Sequence, residues 1–167
     1  YMPILLEAYG LTTDDVQITE TALQDICDAV NDGNADFGVH ITPYTSSPIA
    51  DLAATKGIKL ISLDQEHIDK IVAENPFFFE TTIPGGTFTG IDDDTVVIGT
   101  RNNLVCARSV DEDVVYNVVK TIIEHQDELP DIHPQAKMFN KENAVDGALI
   151  DIHPGAAKYY KEIGIMN

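Results

Sequence analysis

The chain has 167 residues, 44% of them hydrophobic, and carries 28 Asp and Glu against 10 Lys and Arg, a formal net charge of −18. The apolar content supports a packed core and argues against wholesale disorder, while the charge repels nucleic acids and anionic membrane surfaces, which are polyanions. No apolar stretch approaches the roughly 18 residues of a transmembrane helix, so neither nucleic-acid binding nor direct membrane insertion is expected.

Taken in chain order, Tyr1 to Gly10 reads as the end of a helix stopped by Gly10. An opening of that kind leads to the expectation of a carboxyl-terminal part of a longer protein. Val16-Gln17-Ile18 is a short predicted strand. Thr19 is the expected cap of a helix whose stripe is Ala22, Leu23, Ile26, Cys27 and Val30, ended at Asn31-Asp32-Gly33. Ala35 to Ile41 is the next predicted strand, followed by the polar loop Thr42-Pro43-Tyr44-Thr45-Ser46. Ser47-Pro48 reads as an N-cap with proline at the first helical position, and that helix stops at Gly57. Ile58 to Leu63 is an apolar strand of the buried kind. Asp64 caps a helix carrying Ile68, Ile71 and Val72, closed by Asn75-Pro76. Strand and helix alternating through short loops imply an α/β fold, a parallel or mixed sheet flanked by helices.

The middle of the chain is extended. Phe77 to Ile83 is aromatic and β-prone, Pro84-Gly85-Gly86 breaks it, and Val96 to Ile98 and Leu104 to Ala107 read as strands. The last third is helical. Ser109 and Glu112 fit a capping box for a helix with apolar residues at Val114, Val115, Val118, Val119, Ile122 and Ile123, expected to end at Leu129-Pro130. A further helix is expected to start near Pro134, and a final one to cover Pro154 to Ile163, ended by Gly164. Cys27 and Cys106 read as two buried thiols, one on a helix stripe and one in a strand.

Two loops offer chemistry. Thr42, Tyr44, Thr45, Ser46 and Ser47 follow the carboxyl end of a predicted strand and precede a helix start, the place where open α/β sheets bind ligands. Free N–H groups and a partial positive charge suit an anion there, and the hydroxyls suit a carboxylate. The second loop is Gly85-Gly86-Thr87-Phe88, where paired glycines let backbone approach a guest and Phe88 could cover it. His40, His67, His125, His133 and His153 are scattered without metal-ligand spacing, so neither a metal nor a cofactor is expected. No nucleophile elbow, phosphate loop or dinucleotide fingerprint is present, and the reading is of a protein that is not an enzyme.

Several stretches carry a resemblance. They are Leu5-Leu6-Glu7-Ala8-Tyr9-Gly10-Leu11, then Asp32-Gly33-Asn34-Ala35-Asp36-Phe37, then Ile83-Pro84-Gly85-Gly86-Thr87-Phe88 and Asp113-Val114-Val115-Tyr116. The most specific is the closing His153-Pro154-Gly155-Ala156-Ala157-Lys158-Tyr159-Tyr160-Lys161-Glu162-Ile163-Gly164. Together they resemble the carboxyl-terminal half of TAXI-family solute receptors of TRAP transporters. The resemblance implies a type II periplasmic-binding-protein fold in which a small carboxylate, commonly glutamate, is held in an interlobe cleft. It implies a periplasmic or extracytoplasmic location and delivery of the ligand to a membrane permease. It makes residues 1–95 most of the second, ligand-binding lobe, and residues 96–167 a crossing strand and helices returning to the first lobe. Phe88 stands where the family usually has Tyr, and Arg101 sits where an apolar or small residue is expected. The competing reading is a cytoplasmic effector-binding domain of a transcriptional regulator on the same bilobal fold.

Overall fold

The computed structural model describes residues 1–133, 136 and 138–167. The fold is α/β: seven α-helices and a two-stranded sheet among the described residues. The chain forms two compact units, Tyr1–Thr100 and Arg101–Asn167.

The first unit contains α1 (Met2–Ala8), α2 (Leu23–Asp32), α3 (Ser47–Lys56), α4 (Gln65–Glu74), β1 (Phe78–Ile83) and β2 (Thr95–Thr100). Its interior is built where α1 and β1 pack on α4. Ala8, Ile71 and Phe78 are buried together there, with Ile4, Leu5, Ile41, Val72 and Ile98 packed around them. Ile68 and Ile71 sit one turn apart on α4 and are each 1% exposed. Burial on that scale stabilises by about 1.5–3 kcal/mol per side chain. A second contact in the unit joins α2 to α3. β1 and β2 run antiparallel, from Phe78 opposite Thr100 to Ile83 opposite Thr95. The expected boundary after residue 95 falls at the start of β2, whereas the packing divides after Thr100.

Helix boundaries follow local chemistry, with corrections. Asp64 caps α4, its carboxylate accepting from the His67 N–H. Gly33 closes α2 at φ 75°, a left-handed conformation that glycine adopts without a Cβ penalty. Thr19 does not cap α2: the helix begins after Ala22, which is its N-cap and offers no side-chain bond. The cap of α3 is Ser46, one residue before the expected Ser47, so Pro48 falls at the second helical position.

The segments 16–18, 35–41, 58–63 and 104–107 are strands by composition but carry no ladder among the described residues. β-propensity states that a side chain suits a pleated surface; the strand itself forms only when a neighbour supplies alternate N–H and C=O groups. Ile58–Leu63 comes nearest. Leu63 N–H donates to Val96 O at 2.9 Å, and Val96 N–H donates to the Ser62 hydroxyl at 2.8 Å. The rest of that segment stays outside the sheet, with Ile61 65% exposed. In the second unit Leu104 is 77% exposed, and Cys106, expected buried, is an exposed free thiol. Cys27 is buried and free.

The second unit holds α5 (Glu112–Glu124), a 3-10 turn (Gln126–Glu128), α6 (Leu129–Ile132), a 3-10 turn (Lys141–Asn143) and α7 (Pro154–Glu162). Asp111, not Ser109, caps α5, accepting from the N–H groups of Asp113 and Val114. A carboxylate at that place completes the cap and also favours the positive end of the helix. Pro130 lies inside the first turn of α6, where its missing N–H costs nothing. The helix expected near Pro134 begins outside the described residues. Val115, Val119 and Ile123 of α5 pack on Ala156 and Tyr159 of α7. Gly155 makes this close approach possible: a Cβ there would lie 2.2 Å from the Glu112 carbonyl oxygen.

Candidate functional site

The α3 start is assembled by backbone before any side chain contributes. Residues 35–43, neither helix nor ladder, lead into a turn over Tyr44 and Thr45, closed by Ser46 N–H donating to Pro43 O at 3.1 Å. Ser46 is extended (φ −64°, ψ 122°), and its carbonyl accepts the first helical bond from Ala50 N–H at 3.0 Å. The Ser46 hydroxyl makes no cap bond. Ser47 and Ile49 are then first-turn donors without an intrahelical acceptor. Thr42, Tyr44 and Ser46 are half-buried, and Thr45 and Ser47 are exposed.

The comparison with α4 is instructive, because both helices have ten residues. α4 carries Asp64 at its cap and Glu66 in its first turn. α3 has no acidic residue in its first turn, although the chain has 28 of them. No carboxylate of its own first turn therefore offsets its positive end.

The glycine loop is organised differently. Gly85 N–H donates to Asp94 Oδ1 at 2.8 Å, and Gly86 N–H donates to Ile91 O at 2.7 Å. The Thr87 hydroxyl donates to Pro84 O at 2.6 Å. A Cβ on Gly85 would lie 2.0 Å from Asp92 O, so the close backbone approach at this glycine is the chain's own. Gly86 sits at φ 79°. Phe88, expected as a cover over a guest, is 4% exposed and belongs to the packed interior. Each loop is thus closed by its own bonds.

A polar cluster escaped the sequence reading, which saw Asp64 only as a cap. Tyr9 stacks on the His67 ring, with centroids 3.7 Å apart and planes 5° from parallel. The Tyr9 hydroxyl donates to Asp64 Oδ2 at 3.0 Å, and His67 Nδ1 lies 2.5 Å from Asp64 Oδ1. The hydrogen bond from His67, aided by that from Tyr9, holds the Asp64 carboxyl below the usual carboxylate range. Burial and the bond to Asp64 push the Tyr9 hydroxyl up. Lys70 Nζ adds a bond to Glu7 O at the end of α1, at 3.3 Å. The Asp-x-x-His spacing at a helix start was the available signal; the stacking Tyr9, 55 residues away, had none.

In the second unit the closing motif docks α7 on α5. Tyr159 is buried, and the Tyr116 hydroxyl donates to Glu162 Oε2 at 2.6 Å, which pushes its pKa up to about 12. Lys158 reaches Asp113 at 3.3 Å and lies 5.0 Å from the Tyr116 ring centre. A depression of about 240 Å³ is lined by Gln126, Asp127, Pro130, Ala136, Phe139 and Asn140. Two of its polar groups are engaged by the chain: Gln126 Oε1 accepts from Lys141 N–H, and Asn140 forms a capping box with Asn143. Among the described residues no group of three or more His, Cys, Asp or Glu could hold a metal ion, and no helix is long and apolar enough to cross a membrane.

The model of the NMT1-like family matches residues 1–164. The chain belongs to the NMT1-like family. This is a periplasmic-binding-protein-like family that includes TAXI-type solute receptors, and its members are binding proteins. Membership points to a solute-binding, transport-related role.

Proposed function

We propose that the protein is the solute-binding component of a TRAP-type transporter of the TAXI kind. It takes up a small carboxylate, such as glutamate or a dicarboxylate, outside the cytoplasm and hands it unchanged to a membrane permease. Residues 1–95 supply most of the ligand-binding lobe on this reading, and residues 96–167 carry the crossing segment and the helices of the other lobe. The observation that carries it is the α3 start: a ten-residue helix with no acid in its first turn, preceded by Thr42, Tyr44, Thr45, Ser46 and Ser47, in a chain of a solute-binding family. Free first-turn N–H groups and the helix dipole favour a carboxylate, and hydroxyls can donate to its remaining lone pairs.

Isothermal titration of the purified protein with glutamate, succinate and 2-oxoglutarate tests the reading. One of these, or another small carboxylate, binds one to one and is recovered unchanged by mass spectrometry. Ser47→Glu places the chain's own carboxylate at the helix start and weakens binding by about tenfold or more. Failure to bind any anionic metabolite, or an unchanged affinity in Ser47→Glu, overturns it.

A further inference from the structure

We propose that His153 is a neutral-imidazole clasp for the last helix, so that acidification loosens α7 from α5. This device lies in the second unit and is independent of the carboxylate site. Three geometric facts support it. His153 is the N-cap of α7, and its Nδ1 accepts from the Gly155 N–H at 3.2 Å. An acceptor nitrogen carries a lone pair, so the ring proton must sit on Nε2. Nε2 is buried without a hydrogen-bond partner among the described residues. The cap also sits at the positive end of the helix, where a cation is unfavourable.

Protonating the ring therefore does three things at once. It converts Nδ1 from acceptor to donor, which breaks the bond to Gly155. It places a positive charge beside the helix start. It also puts that charge on a ring whose Nε2 has no acceptor. Gly155 is the residue whose missing side chain lets α7 seat against Glu112 O and Tyr116 N, so loss of the cap acts at the tightest point of the contact.

Most charged groups of this helix pair and the chain flanking it are committed elsewhere. On α5, Asp111 accepts the cap bonds of its own helix and Asp113 pairs with Lys158 of α7. Glu112 is exposed, and the Tyr116 hydroxyl is bonded to Glu162. On the flanking chain Asp151 pairs with Arg108 at 3.1 Å, and Lys141 and Glu142 of the 3-10 turn lie 4.0 Å apart. The acids favour a protonated ring only through solvent-screened attraction, which opposes the direct loss of the cap.

The test compares the 167-residue chain with His153→Asn, whose side-chain oxygen caps a helix but does not titrate. Amide-exchange protection factors in α7, corrected for intrinsic exchange, fall about five- to tenfold between pH 8 and pH 5 in the parent chain. They stay level in His153→Asn. Long-range proton–nitrogen NMR at pH 8 shows the proton on Nε2. An equal fall in His153→Asn, level protection in the parent, or a proton on Nδ1 overturns the proposal. If His153→Asn does not fold, the tautomer and protection measurements on the parent chain decide it.

Discussion

The two units reach order by different routes. Residues 101–167 rest on one seam, in which the stripe of Val115, Val119 and Ile123 meets Ala156 and Tyr159. Both halves of that seam are readable as helical periodicity. Residues 1–100 have no such seam: Ala8, Ile71 and Phe78 come from two helices and a strand, and the polar cluster of Tyr9, Asp64 and His67 spans 58 positions of chain. The charge divides unevenly as well. The first unit has 17 acidic residues and three Lys, with no Arg, whereas the second has 11 acidic residues and seven Lys and Arg. The comparison teaches that helix pairing needs little beyond two complementary stripes, while a mixed core depends on contacts that local sequence does not announce.

The largest expected effect lies in the first unit. Ile71→Ala removes a fully buried side chain from the junction of α1, α4 and β1 and destabilises by about 2–5 kcal/mol. Denaturant unfolding checks the magnitude, and amide exchange in α1, α4 and β1 checks the location. A loss below 1 kcal/mol would mean that this junction does not organise the unit.

Gly155→Ala probes the seam of the second unit in the opposite sense, by adding volume. The new methyl meets Glu112 backbone, which cannot rotate away as a flexible side chain would. Overpacking of this kind costs about 1–3 kcal/mol, measured by the same unfolding experiment. Exchange protection in α7 should fall before that in α5.

Asp64→Asn tests the polar route to order and has a smaller effect. The parent carboxyl is held below its usual range by His67 and Tyr9, so its contribution is present above the carboxylate range and lost as pH falls through it. The thermal midpoint of the parent drops from pH 7 to pH 3, and Asp64→Asn removes part of that drop. An identical pH profile in the two proteins would show that the cluster is ornamental.

The smallest effect is expected at Val118→Ser. Val118 is 45% exposed on the outer face of α5, one position before the buried Val119. Stability should stay within about 0.5 kcal/mol. A larger loss would show that the seam is wider than its buried residues suggest.

Much of the helix pattern was legible because its signals are local. Gly33, Gly57 and Gly164 end helices at positive φ, and Asp64 and His153 cap helices beside them. The cap of α5 was misplaced because Ser109 and Asp111 are both good N-caps and local sequence does not choose between them. Six apolar stretches read as strands and, among the described residues, only β1 and β2 form a ladder, because pairing is a property of two segments and composition a property of one. At the candidate site the hydroxyls and the helix start were legible within one residue. The glycine loop was not, since its donors turn back to Ile91 and Asp94, several residues further on.

The sequence by itself determined the α/β class, the amphipathic helices and the acidic character of the chain. These follow from side-chain periodicity, capping chemistry and net charge, each set by neighbours within a few positions. Only the tertiary structure decided which apolar segments pair, that Phe88 lies inside, that Tyr9 closes on Asp64, and that Gly155 lets α7 reach α5. Those outcomes depend on volume and hydrogen-bond geometry between residues distant in the chain, which no local pattern encodes.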